Sequence, residues 1–545
     1  MSRTASNIFT KLRGFIEGVL RKLITYKEVE QVANFESPLS SEMENALNEW
    51  ALMYQGKAEW LAKDGVFSLG LPAFISAEIA RQVVLEVKWN ITAKVADGTE
   101  PPEDGSDPEN PRSKYLKEEF KKCMDKSLRE KLEIGAAAGS MVIKPYPRGD
   151  HFFFEYVMAW SMYPIAFDGA GELTDVIFRD TYTSGKTTYT RLERHKLETR
   201  KRKDVDKNAP DDEKTETVAV ITQRCFKSQL RDAIGTECSL KEVPIWADLQ
   251  PEAILRNTGG KLLIGWYKVA SANNVDLDSP LGVSVFAKAR DLIRDADMQY
   301  SRLLWEFEGG ELAVDVDPTV LRPKNTGTGS GDGSRHYETP QLNQRLFRGV
   351  DLNQDETYHV FSPPLRDGSL LNGLNQILSR VEDCCGLARG TVSIPTQEAM
   401  TATQMKILRK RTYDTIAGNQ QALETALRDV VHAMDVHATL AELAPEGEYE
   451  LSFEWDDSII TDTDQQLNER LALANLGVLS RSELRSWYLG ETDAQANAAI
   501  AQIDEEQMQR MMQQSMLNGD LGGMMGMPEG LPEGAGEPQS SLPKQ

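Results

Sequence analysis

Cysteine is scarce in this sequence, and none of it is arranged for binding. Cys123, Cys225, Cys238, Cys384 and Cys385 are the five cysteines of 545 residues. The number is odd and no CxxC has a partner CxxC. That argues against a disulfide framework or a zinc site and for a reducing compartment. Long apolar runs are lacking too; the longest fall well short of a bilayer span, so no membrane partner is expected. Positive charge is in deficit, with 61 Lys and Arg against 84 Asp and Glu, a net charge of −23. A chain this acidic does not wrap nucleic acid by neutralising phosphates, although the charge keeps a large assembly soluble. The basic, amphipathic N-terminus, residues 1–27, lacks a signal-peptide apolar region and cleavage site and reads as an arm or helix. Histidine is limited to six residues, His151, His195, His336, His359, His432 and His437. None falls in HExxH, and His432 and His437 are five apart, too far round a helix to share one metal well.

Signatures of catalysis fail one by one. Ser184-Gly185-Lys186-Thr187-Thr188 contains GKT. A phosphate-cradling loop needs a further glycine five residues earlier and a strand-to-helix context. That position is Asp180 and the flanks read as strands, so a hairpin turn at Ser184-Gly185 is expected. Asp351, Asn353 and Asp355 begin like a calcium loop, but the sixth position is Glu356 and the twelfth is Ser362, where glycine and glutamate are required. The glycine run at 327–333 does not match GxGxxG. Asp456, Asp457, Asp462 and Asp464 cluster as in a two-metal nuclease, yet they lie at a strand-to-helix connection where aspartates cap helices. No catalytic residue, cofactor or metal site is expected, and the chain is read as not an enzyme.

What is present is a mixed α/β first half and a helix-dominated second half, which makes the fold class α+β. Residues 36–95 read as mostly helical around Trp50, Met53, Tyr54 and Trp60, with Pro72 in a first helical turn. The segment VVLEVKWNI reads as a strand. Residues 96–112 form a Pro/Asp/Glu-rich loop, and 114–133 have helical periodicity. From the segment 135–147, which turns into a strand, to Lys227 the pattern predicts strands of an antiparallel sheet, interrupted by the charged loop 200–214. After Ser279-Pro280 the apolar spacing from Val285 to Phe307 predicts one helix over 281–309, about 28 residues or roughly 42 Å, stopped at Gly309-Gly310. Residues 311–366 are loop and strand, with a flexible stretch at 323–335. Leu370, Leu371, Leu374, Ile377, Leu378 and Val381 mark a second helix ending around Gly386 to Gly390. A very long helix follows from 401, with Met405, Leu408, Ile416, Leu423, Leu427, Val430, Val431 and Met434 as its stripe. Tyr449–Asp462 reads as a strand. Shorter helices then run to about Met516, broken at Gly477 and restarted by a capping box from Ser480 to Glu483. Residues 519–545 are Gly/Pro-rich and expected to be disordered. Lys406, Arg409 and Lys410 lie on one side of the long helix, as a candidate DNA or intersubunit contact or as a solvated face.

Several strings, in this order, carry a resemblance to a known family: FESPLSSEMENALNEWALMYQGKAEW, SLGLPAFISAEIARQVVLE, AAAGSMVIKPY, DSPLGVSVFAKARDLIRDADMQYSRLLWEFEGGE, GLARGTVS followed by TATQM, and FEWDDSIITD. Together with the order of elements they resemble the portal proteins of tailed bacteriophages, in particular long-tailed phages of Gram-positive hosts. The resemblance implies a homo-oligomeric ring, usually of twelve subunits, forming the DNA channel at one capsid vertex. Its parts would be an N-terminal arm (1–35), a wing (36–280), a first stem helix (281–309), a clip (310–365), a second stem helix (366–389), a tunnel loop (390–402), a wing helix and strand (403–461), a crown (462–518) and a tail (519–545). The candidate channel residues are then Thr391, Val392, Ser393, Ile394, Pro395, Thr396, Gln397 and Glu398. Implied partners are further copies of the chain, the terminase, a head–tail adaptor, the major capsid and scaffold proteins, and double-stranded DNA in transit. The implied location is the virion, with assembly in the host cytoplasm.

Two other readings compete. A terminase large subunit needs a working ATP loop and an acidic nuclease strand, which the failures above remove. A different head protein, scaffold-like or minor capsid, would lack either the β-rich half or the helix–insertion–helix order.

Overall fold

The order of elements follows from local signals. Helix α1 spans Tyr26–Ala33 and α2 Ser41–Tyr54. Ser40 caps α2 by accepting from the Met43 N–H at 3.2 Å, and Met43, Leu47, Trp50 and Met53 turn inward. Tyr54 stays at the boundary and donates to Glu133 Oε1 at 2.8 Å. Helix α3, Leu71–Val84, carries Pro72 in its first turn and buries Ile75, Ile79 and Val83. The segment read as a strand divides: it is helical through Val84, and strand β1 begins at Lys88 and runs to Ala93. Helix α4, Pro111–Lys126, starts in a capping box between Asn110 and Ser113. Pro111 and Arg112 therefore belong to a helix and not to the loop expected over 96–112. Helix α5, Leu128–Ala138, follows directly.

These descriptions come from a computed structural model that describes residues 26–35, 38–85, 87–94, 108–201, 215–230, 233–316, 324–325, 337–338, 347–349, 358–395, 402–455 and 463–519. Of the loop expected at 200–214, Arg200 and Lys201 are strand residues, and of the stretch expected to be flexible at 323–335, Lys324 and Asn325 are strand residues; the rest of both, the calcium-like positions Asp351–Asp355, the acids Asp456, Asp457 and Asp462, and the tail beyond 519 lie outside the described residues.

The antiparallel region forms two sheets. Strands β2 (Ser140–Arg148) and β3 (His151–Met158) make a hairpin. Strands β4 (Met162–Phe167), β5 (Leu173–Ser184), β6 (Thr187–Lys201), β7 (Thr215–Ser228) and β8 (Thr236–Cys238) lie side by side in chain order, with β9 (Glu252–Leu255) also on β7. Strand β10 (Gly265–Lys268) pairs with the free side of β2. Ser184 pairs with Thr187 across a two-residue loop whose first residue, Gly185, has φ +62°. Positive φ at that position is what a tight hairpin turn of this type needs. The GKT string is therefore a hairpin, as expected.

The helix expected over 281–309 is shorter. Helix α6 spans Arg290–Gly309, 20 residues, after a single 3₁₀ turn at Ala287–Ala289. Residues 281–286 are held non-helically against the end of α5 and the start of β2. The Gly282 N–H donates to Ser140 Oγ at 3.2 Å and the Val285 N–H to the Ala136 carbonyl at 3.1 Å. A Cβ on Gly282 would overlap the Gly139 carbonyl. Leu281, Val283 and Phe286 are buried by this crossing, so their apolar spacing serves a packed loop and not a helical face.

Beyond α6 come β11 (Ala313–Val316), β12 (Lys324–Asn325), β13 (Tyr337–Glu338), β14 (Phe347–Gly349) and β15 (Tyr358–Phe361). β11 is the middle strand of the three-stranded sheet β14-β11-β15. Its antiparallel pairing with β15 brings the start and end of this insertion together. Helix α7 spans Asp367–Cys385 and ends at Gly386, φ +71°. Helix α8, Ala402–Leu440, is 39 residues long. Ile416, Leu423, Leu427, Val430, Val431 and Met434 of the expected stripe are buried. Strand β16, Tyr449–Glu454, closes this unit by pairing antiparallel with β1.

The chain divides into two compact units, Met1–Asp456 and Asp457–Gln545. The second holds α9 (Thr463–Asn475), α10 (Arg481–Leu489) and α11 (Asp493–Gly519). Gly477 has φ +73°, and Ser480 and Glu483 form the expected capping box. The architecture is mixed α and β.

Candidate functional site

Helices α6 and α7 form an antiparallel hairpin that carries the inserted sheet at one end. The acid Glu306 ties the two helices together at that end. Glu306 accepts from the backbone N–H, Nε and Nη2 of Arg366 at 3.0, 3.1 and 2.7 Å. These bonds hold the Glu306 carboxyl down at about 2. The sign follows from linkage. A folded value below the ordinary 4.5 means that the pair stabilises the hairpin above about pH 4.5, and that this is lost as pH falls towards 2. Unfolding midpoints measured across pH 2–5 should therefore converge between wild type and Glu306→Gln at the acid end and diverge above it.

Farther along, Gln299 Nε2 donates to the Leu370 carbonyl at 3.2 Å. On α6, the buried Asp297 takes Trp60 Nε1 at 2.9 Å and the Leu69 N–H at 2.8 Å, while Ser301 Oγ accepts from the Phe67 N–H at 2.8 Å. Burial pushes the Asp297 carboxyl up. The hairpin is thus lashed to residues 60–69. Its insertion end is apolar and uncovered. Trp305, Phe307, Leu312, Tyr358, Val360 and Leu365 are all exposed, Trp305 and Tyr358 each at 65%.

The other end of α7 organises the expected loop. Glu382 is fully buried. Its Oε1 accepts from the N–H groups of Gly390, Val392 and Ser393, and its Oε2 accepts from Ser393 Oγ at 2.7 Å. Seven residues earlier on the same helical face, Asn375 Oδ1 accepts from the Ile394 N–H at 2.7 Å and Nδ2 donates to the Ile394 carbonyl at 3.2 Å. Next to Glu382, Asp383 receives Arg389 at 2.8 Å and Arg411 of α8 at 2.7 Å. The Arg389 hydrogen bond, with both guanidinium charges, holds its carboxyl below the usual range.

The candidate channel residues therefore divide. Thr391 donates to the Ala388 carbonyl at 2.6 Å, Val392 is half-buried, Ser393 is buried, and Ile394 and Pro395 are exposed. Thr396, Gln397 and Glu398 lie outside the described residues. Within the segment read as a loop over 390–402, residues 390–394 are pinned to α7 and Ala402 already begins α8. Glu382 and Asn375 escaped the sequence reading. Their signal was two polar residues seven apart on an apolar helical face, just before a Gly-rich turn.

Of the basic cluster, Lys410 is exposed beside Lys288, Arg411 and Asp414 in an open groove. The side chains of Lys406 and Arg409 lie outside the described residues. The neighbouring Arg411 makes an ion pair with Asp383 at 2.7 Å. His432 Nε2 lies 3.1 Å from the Thr258 carbonyl, and burial pushes His437 down to about 4. Among the described residues no three His, Cys, Asp or Glu side chains converge as a metal site, and no helix is long and apolar enough to cross a membrane.

The chain thus places a helical hairpin with an inserted small sheet on an α+β body and leaves apolar side chains exposed at the insertion. The family described as "Phage portal protein, SPP1 Gp6-like" matches residues 83–513, and the chain belongs to that family, which is structural rather than enzymatic. No curated protein matches the chain. The match begins inside α3, so the two N-terminal strings quoted above lie almost wholly outside it.

Proposed function

We propose that this chain is the subunit of a closed ring that forms the DNA channel at one vertex of a phage capsid, twelve copies being the expected number. The observation that carries the reading is the hairpin α6–α7 with its exposed apolar insertion end. Apolar area of this kind marks an association surface, and identical subunits related by rotation cover it through heterologous contacts that close. In this reading residues 36–280 and 403–461 are the wing, α6 and α7 the stem, 310–365 the clip that meets terminase and then the head–tail adaptor, and 462–518 the crown. Residues 395–401 are the tunnel loop, narrowed by the pinning of 390–394. The capsid and scaffold proteins are the outer partners. A net charge of −23 suits a channel through which duplex slides, because strong phosphate neutralisation would make each step costly.

Mass photometry with negative-stain imaging tests this. Purified protein should give closed rings, and Trp305→Glu with Tyr358→Glu should shift the population to monomer while circular dichroism stays unchanged. A wild-type protein that stays monomeric or forms open filaments would sink the proposal. Replacing residues 396–400 by a Gly-Ser link of equal length should keep the rings and abolish DNA packaging or retention; normal packaging would refute the tunnel assignment.

A further inference from the structure

Away from the hairpin, β7 and β8 bring two thiols face to face. Cys225 and Cys238 are direct partners in the antiparallel register, with Sγ atoms 3.5 Å apart. Directly opposed residues on antiparallel strands have Cα atoms roughly 4.5 or 5.5 Å apart, within the roughly 4.4–6.8 Å span that a disulfide bridges. The register is fixed from both sides. Arg224 pairs with Glu237 at 2.9 Å and Lys227 with Glu242 at 2.9 Å. Gly235, φ +81°, lets the chain turn under the Lys227 carbonyl, where any Cβ would collide. Cys225 is buried in a small separate core with Leu240, Val243 and Trp246, while Cys238 is partly exposed at its edge. Nothing in the channel reading uses this pair.

We propose that Cys225 and Cys238 are a latent redox pair, kept as thiols in a reducing cytoplasm and closed to a cross-strand disulfide by a small-molecule disulfide in an oxidising medium. The chemistry is an exchange. Cys238, the accessible thiol, loses its proton and its sulfur attacks the small disulfide, expelling one thiolate and leaving a mixed disulfide. Cys225 then loses its proton and attacks the Cys238 sulfur, expelling the second thiolate. Two protein thiols are oxidised and one small disulfide is reduced to two thiols. Burial raises both thiols, Cys225 to about 12, so the exchange is slow at neutral pH and assembly in a reducing cell leaves the pair open. The closed bridge staples β8 and the segment around Trp246 onto the large sheet. Only the occasion, release of an assembled particle from the cell, rests on the portal reading; the chemistry does not.

The test incubates the full-length protein with oxidised glutathione, quenches by alkylation under denaturing conditions, and maps peptides by mass. The expected result is the loss of two alkylatable thiols of the five and a cross-link joining the Cys225 and Cys238 peptides, reversed by reductant. Proteolytic cleavage within 229–249 should slow several-fold in the oxidised form. In Cys238→Ser the remaining thiols should all alkylate. Five alkylated cysteines, a link involving Cys384 or Cys385 instead, or a stable glutathione adduct at Cys238 with Cys225 still free would each overturn the pair. Unchanged cleavage would overturn the staple.

Discussion

Glu382→Ala should destabilise the larger unit by about 3–5 kcal/mol and free residues 390–394 from α7. The wild-type carboxylate lies in a fully buried position and takes three backbone N–H groups and one hydroxyl. Truncation strands these donors, and each unsatisfied buried donor costs about 1–3 kcal/mol. The sum falls short of the simple total because Ser393 and the backbone can turn towards water. Glu382→Gln gives a sharper comparison. It keeps the shape but supplies one acceptor oxygen and places an NH₂ against the donors, so about 2–3 kcal/mol should be lost. Urea unfolding measures the stability, and limited proteolysis between Gly390 and Pro395 measures the release. In the portal reading these residues set the root of the tunnel loop. Glu382→Ala should then reduce DNA retention far more than Asp383→Asn, which removes only exposed arginine pairs. Proteolysis of Glu382→Ala at the wild-type rate would show that the carboxylate does not hold the loop.

Periodicity located most of the scaffold because it reports burial directly. The stripe of α8, the strand alternation from Ser140 to Ser228 and the capping box at Ser480 are each local signals with a local cause. The errors arose where tertiary contact overrode spacing. Val285 stands four residues before Ala289, as on a helix, yet Gly139 and Gly282 let two backbones cross there, and the N–H groups of Gly282 and Val285 find partners outside their own segment. The pinning of residues 390–394 was hidden for a related reason. Gly390–Pro395 reads as a turn in sequence, while the acid that orders it stands eight residues and more upstream. A buried glutamate on an apolar face is rare without donors to satisfy it, and Val381-Glu382 next to Cys385 carried that hint. Cys225 and Cys238 gave no spacing signal, since their meeting depends on the register of β7 against β8.

The second large effect should come from Gly265→Val. Gly265 begins β10, where the strand meets the middle of α8. A Cβ there would overlap the Ala426 carbonyl oxygen and Val430 Cγ2. The neighbouring contacts leave no freedom to slide. Tyr267 OH donates to Asn419 Oδ1 at 2.7 Å, and Asn419 Nδ2 donates to the Thr415 carbonyl at 2.8 Å, with both side chains buried. Forcing helix and strand apart in so dense a core costs about 3 kcal/mol or more. The displacement would carry Arg411 away from Asp383, since Arg411 and Asn419, the acceptor of Tyr267, ride on the same helix. Gly265→Ala should cost less, and adding Val430→Ala should recover part of the loss but not all of it, because the Ala426 carbonyl remains. Thermal unfolding of the four proteins reads this order directly: wild type highest, then the Gly265→Ala/Val430→Ala double variant, Gly265→Ala and Gly265→Val. Equal stability of Gly265→Val and wild type would mean that α8 is not seated on β10 through this glycine, and the account of how the long helix is fixed between the loop and the sheet would have to be abandoned.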